Sequence, residues 1–183
     1  MTHTATPTGR REQRDGARHL VLTRTFAAPL AAVWAAVAEP ERMQRWIGTF
    51  SGDPASGEVA FRMTAEGDDV PVETYVVEAC RPPHHYAVRS RDPQPWREDG
   101  TGEPMVWRLV VDLAETDGVT TLTFAQTLDR ADAGEIAASV GPGWEYYLDR
   151  LVADLDGTGA DAVQWGEQYH PGMASHYERL LGD

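Results

Sequence analysis

The feature that most restricts the fold is an amphipathic segment close to the carboxyl end of the chain. Its apolar side chains recur at i, i+3, i+4, i+7, i+8 and i+11, the spacing of one face of an α-helix. They are Trp144, Tyr147, Leu148, Leu151, Val152 and Leu155. The intervening Glu145, Asp149, Arg150 and Asp154 predict a solvent-facing side. Such a helix needs another layer of structure to cover its apolar face.

Short β-type runs before this helix supply the second layer. They are rich in β-branched, aliphatic and aromatic residues and are separated by turn residues. The runs lie at residues 19–26, 58–64, 70–80, 84–89, 105–113 and 120–128. Two short helices are predicted after the first run, one beginning at Leu30 and the other covering residues 40–47. Short connections favour an antiparallel meander, so we expect an α+β fold with a curved sheet around the last helix.

The two ends of the chain differ in composition. Residues 1–17 are polar and turn-rich, and we expect a flexible leader there. Residues 18–156 form the predicted domain. Residues 157–183 contain enough apolar side chains to form a tail with a short helix packed on that domain. The long connection at residues 90–104 is predicted to cover the entrance of any cavity.

Charge and composition exclude several function classes. The chain has 183 residues, and 16 basic residues against 29 acidic ones give a net charge of -13. This balance argues against nucleic-acid partners and membrane insertion. All the basic residues are arginine, so lysine Schiff-base chemistry is excluded. The single Cys80 rules out an intrachain disulfide and fits a cytoplasmic location. No cofactor or metal motif is present, and the oligomeric state is left open.

An ordered set of short motifs resembles the SRPBCC superfamily, also called START/Bet v-like or helix-grip. The branch that it resembles is the bacterial homologues of the activator of the heat shock protein 90 ATPase. The motifs are TRTFAAP at residues 23–29, Val33-Trp34, Pro40-Glu41, Arg45-Trp46, GEVAF at residues 57–61, VVEACRP at residues 76–82 and GWEYYLDRL at residues 143–151. The resemblance implies a helix-grip fold with a hydrophobic ligand cavity between the sheet and the last helix. It does not imply one reaction.

Six residues are candidate ligand contacts. Gln126 is in phase with Leu122 and Phe124, so it lies on the apolar side of its strand, where an amide needs hydrogen-bond partners. It could orient a ligand, or it could simply bond to a tryptophan or the backbone. The aromatic candidates could line the cavity or fill the core. The full set is Trp46, Trp107, Phe124, Gln126, Trp144 and Tyr147.

Two alternatives to a carrier of a small hydrophobic molecule remain open. The first is a cyclase, dehydratase or hydrolase that uses His85 or Glu73 as acid or base, although no acid partner for His85 is visible in the sequence. The second is a co-chaperone-like interaction module with a protein partner. Its recognition surface would be the acidic stretch at residues 129–161.

Overall fold

One antiparallel sheet organises the computed structural model, which describes residues 5–67, 69–97 and 99–182. Within these residues eight strands are hydrogen-bonded in the order β1-β2-β8-β7-β6-β5-β4-β3. The strands are β1 (Arg10–Arg14), β2 (Ala17–Phe26), β3 (Thr49–Ser51), β4 (Glu58–Arg62), β5 (Glu73–Arg81), β6 (His85–Ser90), β7 (Arg108–Thr116) and β8 (Val119–Thr127). The predicted α+β helix-grip architecture is confirmed.

In the described part of the chain, four α-helices accompany the sheet. They are α1 (Leu30–Ala38), α2 (Pro40–Met43), α3 (Ala133–Leu155) and α4 (Ala174–Leu181). The long helix α3 packs against β2, while α1 contacts β7 and β8. α4 packs along α3 and also touches β1.

The structure differs from the sequence prediction at the amino end. Residues 10–14, which the sequence assigns to a flexible leader, form β1 and pair with β2 from Arg10 opposite Val21 to Arg14 opposite Ala17. The segment RREQR has no apolar alternation, so its pattern gives no strand signal. The short β3 was also missed, because three residues are too few for a periodicity.

The inner face of the sheet is the apolar one. Leu122, Phe124 and Gln126 of β8 pair across the sheet with Leu113, Val111 and Leu109 of β7, respectively. Leu22 of β2 pairs with Phe124 on the other side. Side chains alternate between the two faces of a strand. The register therefore identifies which residues of each strand face inward, and the alternation is interrupted only in β5, between Val77 and Ala79, within the described residues.

α3 begins at Ala133, before the segment in which its periodicity becomes clear, and it continues through Pro142. Gly141 is required at this point, because a Cβ there would lie 2.5 Å from Cγ of Tyr177. The missing side chain lets α4 approach α3 closely.

The predicted solvent-facing side of α3 is wrong for two residues. Glu145 is 1% exposed and Arg150 is 8% exposed. The residues after α3 cover this side, α4 packing along the helix and Ala160 approaching Arg150. The helix is buried on more than one face because the tail supplies a second packing layer.

Candidate ligand-binding site

Four of the six predicted ligand contacts meet between β7, β8 and α3. We call Trp107, Phe124, Gln126 and Trp144 the aromatic cluster. The ring centroids of Phe124 and Trp144 are 4.4 Å apart, and those of Trp107 and Trp144 are 6.3 Å apart in an edge-to-face arrangement. The alternation of β7 and β8 and the helical spacing of α3 direct these side chains to one place.

Gln126 is the polar member of the cluster and is fully buried. Nε1 of Trp144 donates a hydrogen bond of 2.7 Å to Oε1 of Gln126. An indole N–H only donates, so this bond fixes which end of the amide is the oxygen. Nε2 of Gln126 is buried and has no hydrogen-bond partner within the described residues. An unpaired buried donor costs about 1–3 kcal/mol.

The side chains of Trp46 and Tyr147 form hydrogen bonds to residues outside the aromatic cluster. Trp46, which follows α2, donates from Nε1 to the carbonyl of Ala36 at 2.8 Å. Its own carbonyl accepts from Nε of Arg150 at 2.9 Å. Trp46 therefore joins α1, α2 and α3. Tyr147 donates from its hydroxyl to Oε1 of Glu66 at 2.7 Å.

The inner face of β4–β6 is less covered than that of β2 and β8. Its side chains are half-buried, and Trp107 at the edge of the aromatic cluster is half-buried as well. The inner-facing apolar residues of these strands are Val59, Phe61, Tyr75, Val77, Tyr86 and Val88. The aromatic cluster therefore borders a partly open, largely apolar surface.

The carboxylates of Glu66 and Glu73 lie at the edge of this surface. Burial, together with the charge of Glu66, raises the pKa of Glu73, although the hydroxyl of Tyr75, 3.4 Å from Oε2 of Glu73, acts in the opposite direction. Burial and the hydrogen bond to Glu66 raise the pKa of Tyr147. Within the described residues neither carboxylate has an arginine partner. This edge is electrically negative.

The connection between β6 and β7 packs against the first half of α3. Gln94 and Met105 form a two-way backbone bridge, with N–O distances of 2.7 and 2.9 Å. Trp96 is buried, and its carbonyl accepts from Oγ of Ser139 at 3.3 Å. Nε1 of Trp96 is a second buried donor without a partner in the described chain. The connection is therefore attached to the first half of α3.

A buried ionic cluster occupies the other side of α3. We call Arg24, Glu145, Asp149 and Tyr177 the ionic cluster. Nη2 of Arg24 donates to Oε2 of Glu145 at 2.6 Å and to Oδ1 of Asp149 at 2.8 Å. Glu145 also accepts from the Tyr177 hydroxyl and from the backbone N–H of Gly9. Sequence reasoning missed this cluster, because its members come from three elements that are distant along the chain, β2, α3 and α4.

A family model for activator of Hsp90 ATPase homolog 1-like proteins matches residues 27–156. The chain belongs to this family. The finding confirms the resemblance noted in the sequence, and the matched segment runs from the end of β2 to the end of α3. No curated protein matches the chain.

Solved structures share the fold of this family member at low sequence identity. The crystal structure of CalU16 from Micromonospora echinospora is 21% identical, covers 96% of each chain and has a TM-score of 0.69. A conserved protein of unknown function from Enterococcus faecalis, EF2215, is 15% identical with a TM-score of 0.66, covering 94% of this chain and 90% of its own. DynU16, described as a protein in the dynemicin biosynthetic locus, is 19% identical with a TM-score of 0.56, covering 78% of this chain and 48% of its own. At these identities the likeness shows the fold alone.

The two acid–base candidates of the enzyme alternative lie on opposite faces of the sheet. Glu73 shares the inner face with Phe61, its partner on β4. His85 pairs with Asp112, which lies between two inward residues of β7 and therefore faces outward. Nδ1 of His85 is 2.6 Å from Oδ1 of Asp112, so the acid partner that the sequence did not reveal is present. His85 and Glu73 do not form one site.

Two surface concavities lie away from the aromatic cluster. One, of about 410 Å³, is on the outer face of the sheet beside His85 and Asp112. The other, of about 450 Å³, lies beside Thr8, Arg24 and Asp149. Among the described residues no group of three or more His, Cys, Asp or Glu could hold a metal ion. No described helix is long and apolar enough to span a membrane.

Proposed function

We propose that this protein binds a small hydrophobic or amphipathic molecule between the inner face of the sheet and α3. The observation that carries the proposal is the unpaired Nε2 of Gln126. This donor is buried among aromatic rings, and the adjoining Trp107 is half-exposed. A ligand oxygen bonded to Nε2 would remove the cost of the unpaired donor.

The surroundings define the chemistry of the ligand. Aromatic rings provide a large apolar contact area, and Gln126 requires a hydrogen-bond acceptor such as a carbonyl oxygen. The nearby Glu66 and Glu73 disfavour an anion. The preferred ligand is therefore a neutral, planar or aliphatic molecule with one acceptor group. Members of this fold commonly bind hydrophobic ligands, which supports the same proposal.

Entry requires the space beside Trp144 to widen, because Phe124 and Trp144 are each less than 10% exposed. The connection that carries Trp96 is the element best placed to move. It is held to α3 by the Ser139 contact and by the exposed ion pair of Arg97 with Glu135. Exposed ion pairs contribute about 0–1 kcal/mol, so the burial of Trp96 is the main attachment that must be released for entry.

The proposal is tested with prodan, a neutral naphthyl ketone whose emission reports polarity and hydrogen bonding at its carbonyl. We expect saturable binding with emission from an apolar site, and weaker binding of the anionic anilinonaphthalene sulfonate. Gln126→Met keeps the size of the side chain but removes the donor. It should weaken prodan binding about tenfold, the effect of roughly 1.4 kcal/mol.

Gln44→Met is the matched control, because Gln44 is exposed beyond α2 and far from the aromatic cluster. It should bind prodan like the unmodified protein. Native mass spectrometry of freshly purified protein would add the identity of any co-purified molecule. Absence of saturable prodan binding, together with no co-purified molecule, would contradict the proposal.

The two alternatives receive less support from the geometry. Two acids of the acidic stretch are not free at the surface, because Glu145 and Asp149 are paired with Arg24. A protein-docking face would need these charges at the surface. The enzyme alternative uses His85 or Glu73, and these two candidates lie on opposite faces of the sheet, so only one of them could act in a given site.

A further inference from the structure

A second polar site lies on the outer face of the sheet, on the opposite side from the aromatic cluster. It is the groove of about 410 Å³ at the ends of β5–β8. We call it the outer groove. Its polar lining consists of Arg81, His84, His85, Asp112, Thr121 and Thr123.

Strand register brings four of these residues into one line. Arg81 of β5 pairs with His85 of β6, His85 pairs with Asp112 of β7, and Asp112 pairs with Thr123 of β8. Neighbouring strands are about 4.8 Å apart, so the row places four polar side chains side by side. Arg81 is at one end and Thr123 is at the other.

The two histidines of the outer groove use the same ring nitrogen, Nδ1, in a hydrogen bond. Adjacent residues of a strand point to opposite faces, but His84 belongs to the turn before β6 and escapes this alternation. Nδ1 of His85 lies 2.6 Å from Oδ1 of Asp112, and Nδ1 of His84 lies 3.2 Å from the carbonyl of Leu113. Both partners are acceptors, so Nδ1 is the donor in each ring. Nε2 of each ring is left without a partner in the described chain.

Three further polar side chains of the outer groove also lack a hydrogen-bond partner among the described residues. In the part of the chain that the structure describes, the Arg81 guanidinium has neither an ion pair nor a hydrogen bond. The hydroxyls of Thr121 and Thr123 have no hydrogen-bond partner there either. Asp112, the only carboxylate of the lining, is already bound to His85. The groove thus combines one free cation with several free hydrogen-bonding groups.

We propose that the outer groove binds a small organic oxyanion, a carboxylate or a phosphate monoester. The guanidinium of Arg81 donates hydrogen bonds to two oxygens of the anion, since its planar arrangement of N–H groups matches a carboxylate or a phosphate. The threonine hydroxyls donate to the remaining oxygens. The apolar body of the ligand lies against Pro82 and Ala114, which also line the groove.

The test uses phenyl phosphate, benzoate and inorganic phosphate as separate probes. Binding is followed by the ring Cε1–H signals of the histidines in two-dimensional nuclear magnetic resonance. We expect saturable shifts at His84 and His85 with phenyl phosphate or benzoate, while His19 and His170 stay unmoved. Comparing the two organic probes shows which head group the groove prefers.

Variants distinguish this site from general electrostatics. Arg81→Gln should weaken binding of the preferred organic probe about tenfold or more, since it removes the charge-assisted bonds. Thr121→Val should weaken it less. Arg62→Gln is the control, because Arg62 is an exposed arginine of β4 outside the groove. It should bind like the unmodified protein.

Three outcomes would overturn the assignment. One is the absence of histidine shifts with both organic probes. Another is an Arg81→Gln variant that binds as well as the unmodified protein. The last is inorganic phosphate binding as tightly as the organic probes, since this would leave the apolar wall without a role. Arg81 is exposed, so its substitution should not disturb folding.

Discussion

Trp144 and Glu145 are consecutive residues of α3, yet their side chains point into two different buried clusters. Around Glu145, in the ionic cluster, both carboxylate oxygens accept hydrogen bonds, from Arg24, Tyr177, Thr8 and Gly9. Around Trp144, in the aromatic cluster, the only polar partner among the described residues is Gln126, and one end of that amide is unpaired within them. A buried polar group that is fully paired holds segments together. One that is half-paired is available for another molecule.

The comparison predicts the largest loss of stability at Glu145. Glu145→Ala leaves Arg24 with a single carboxylate and leaves the N–H of Gly9 with fewer acceptors. Breaking a buried ion pair costs about 3–5 kcal/mol, so the free energy of unfolding in urea should fall by about this amount. Glu135→Ala removes an exposed carboxylate of the same helix and should cost about 0–1 kcal/mol. Equal effects of the two substitutions would contradict the role of the ionic cluster.

Tyr177→Phe gives a smaller loss, because it deletes one hydroxyl and keeps the ring that packs on Gly141. The hydroxyl donates to Glu145 and accepts from the N–H of Gly9 at 3.1 Å. We expect a loss of about 1–2 kcal/mol in the same urea measurement. Hydrogen exchange at the amide of Gly9 should also accelerate. An unchanged exchange rate there would show that the hydroxyl does not tie the amino end to α4.

Gln126→Met should distinguish the aromatic cluster from the ionic cluster most clearly. The substitution leaves Nε1 of Trp144 without its acceptor, but it also removes the unpaired Nε2. These effects oppose each other, so the net loss of stability should stay below about 1 kcal/mol while ligand binding weakens. Thermal unfolding with and without prodan measures both. A loss as large as that of Glu145→Ala would mean that Gln126 is a structural residue.

Glu73→Gln is expected to have the smallest effect and the opposite sign. Burial raises the pKa of Glu73 above its ordinary value of 4.5, so the folded protein binds this proton more tightly than the unfolded chain. This contribution lowers stability as pH rises from about 4.5 through the raised pKa. The variant should lose this part of the pH dependence and gain a few tenths of a kcal/mol at pH 7, since Glu73 is half-exposed. Urea midpoints from pH 4 to pH 8 check it.

Local patterns in the sequence were sufficient for the inner face of the sheet and for most of its strands. The alternation of β8 predicted that Gln126 is on the apolar side of its strand. The periodicity of α3 predicted that Trp144 and Tyr147 lie on the apolar face of that helix. A bond from Gln126 to a tryptophan was one of the open alternatives, and it is present. The structure adds that the same amide keeps a free donor. Pairing of that kind depends on rotamers, which no pattern of residue types encodes.

Contacts between distant segments account for what the sequence did not reveal. Glu145 looked like a solvent-facing residue because periodicity describes one helix and not what packs on it. His85 and Asp112 are 27 residues apart and meet through strand register, which short motifs do not fix. β1 forms from polar residues because backbone hydrogen bonds to β2 do not depend on side-chain polarity.

The contact between Gly141 and Tyr177 has a consequence for how the chain can be divided. The family-matched segment ends at residue 156, but the ring that covers Gly141 and bonds to Glu145 comes from beyond that point. A fragment that ends at residue 156 would expose Gly141 and the carboxylate of Glu145 to water in the middle of α3. The carboxyl-terminal extension thus completes the packing around α3, although its residues lie outside the segment that the family model matches.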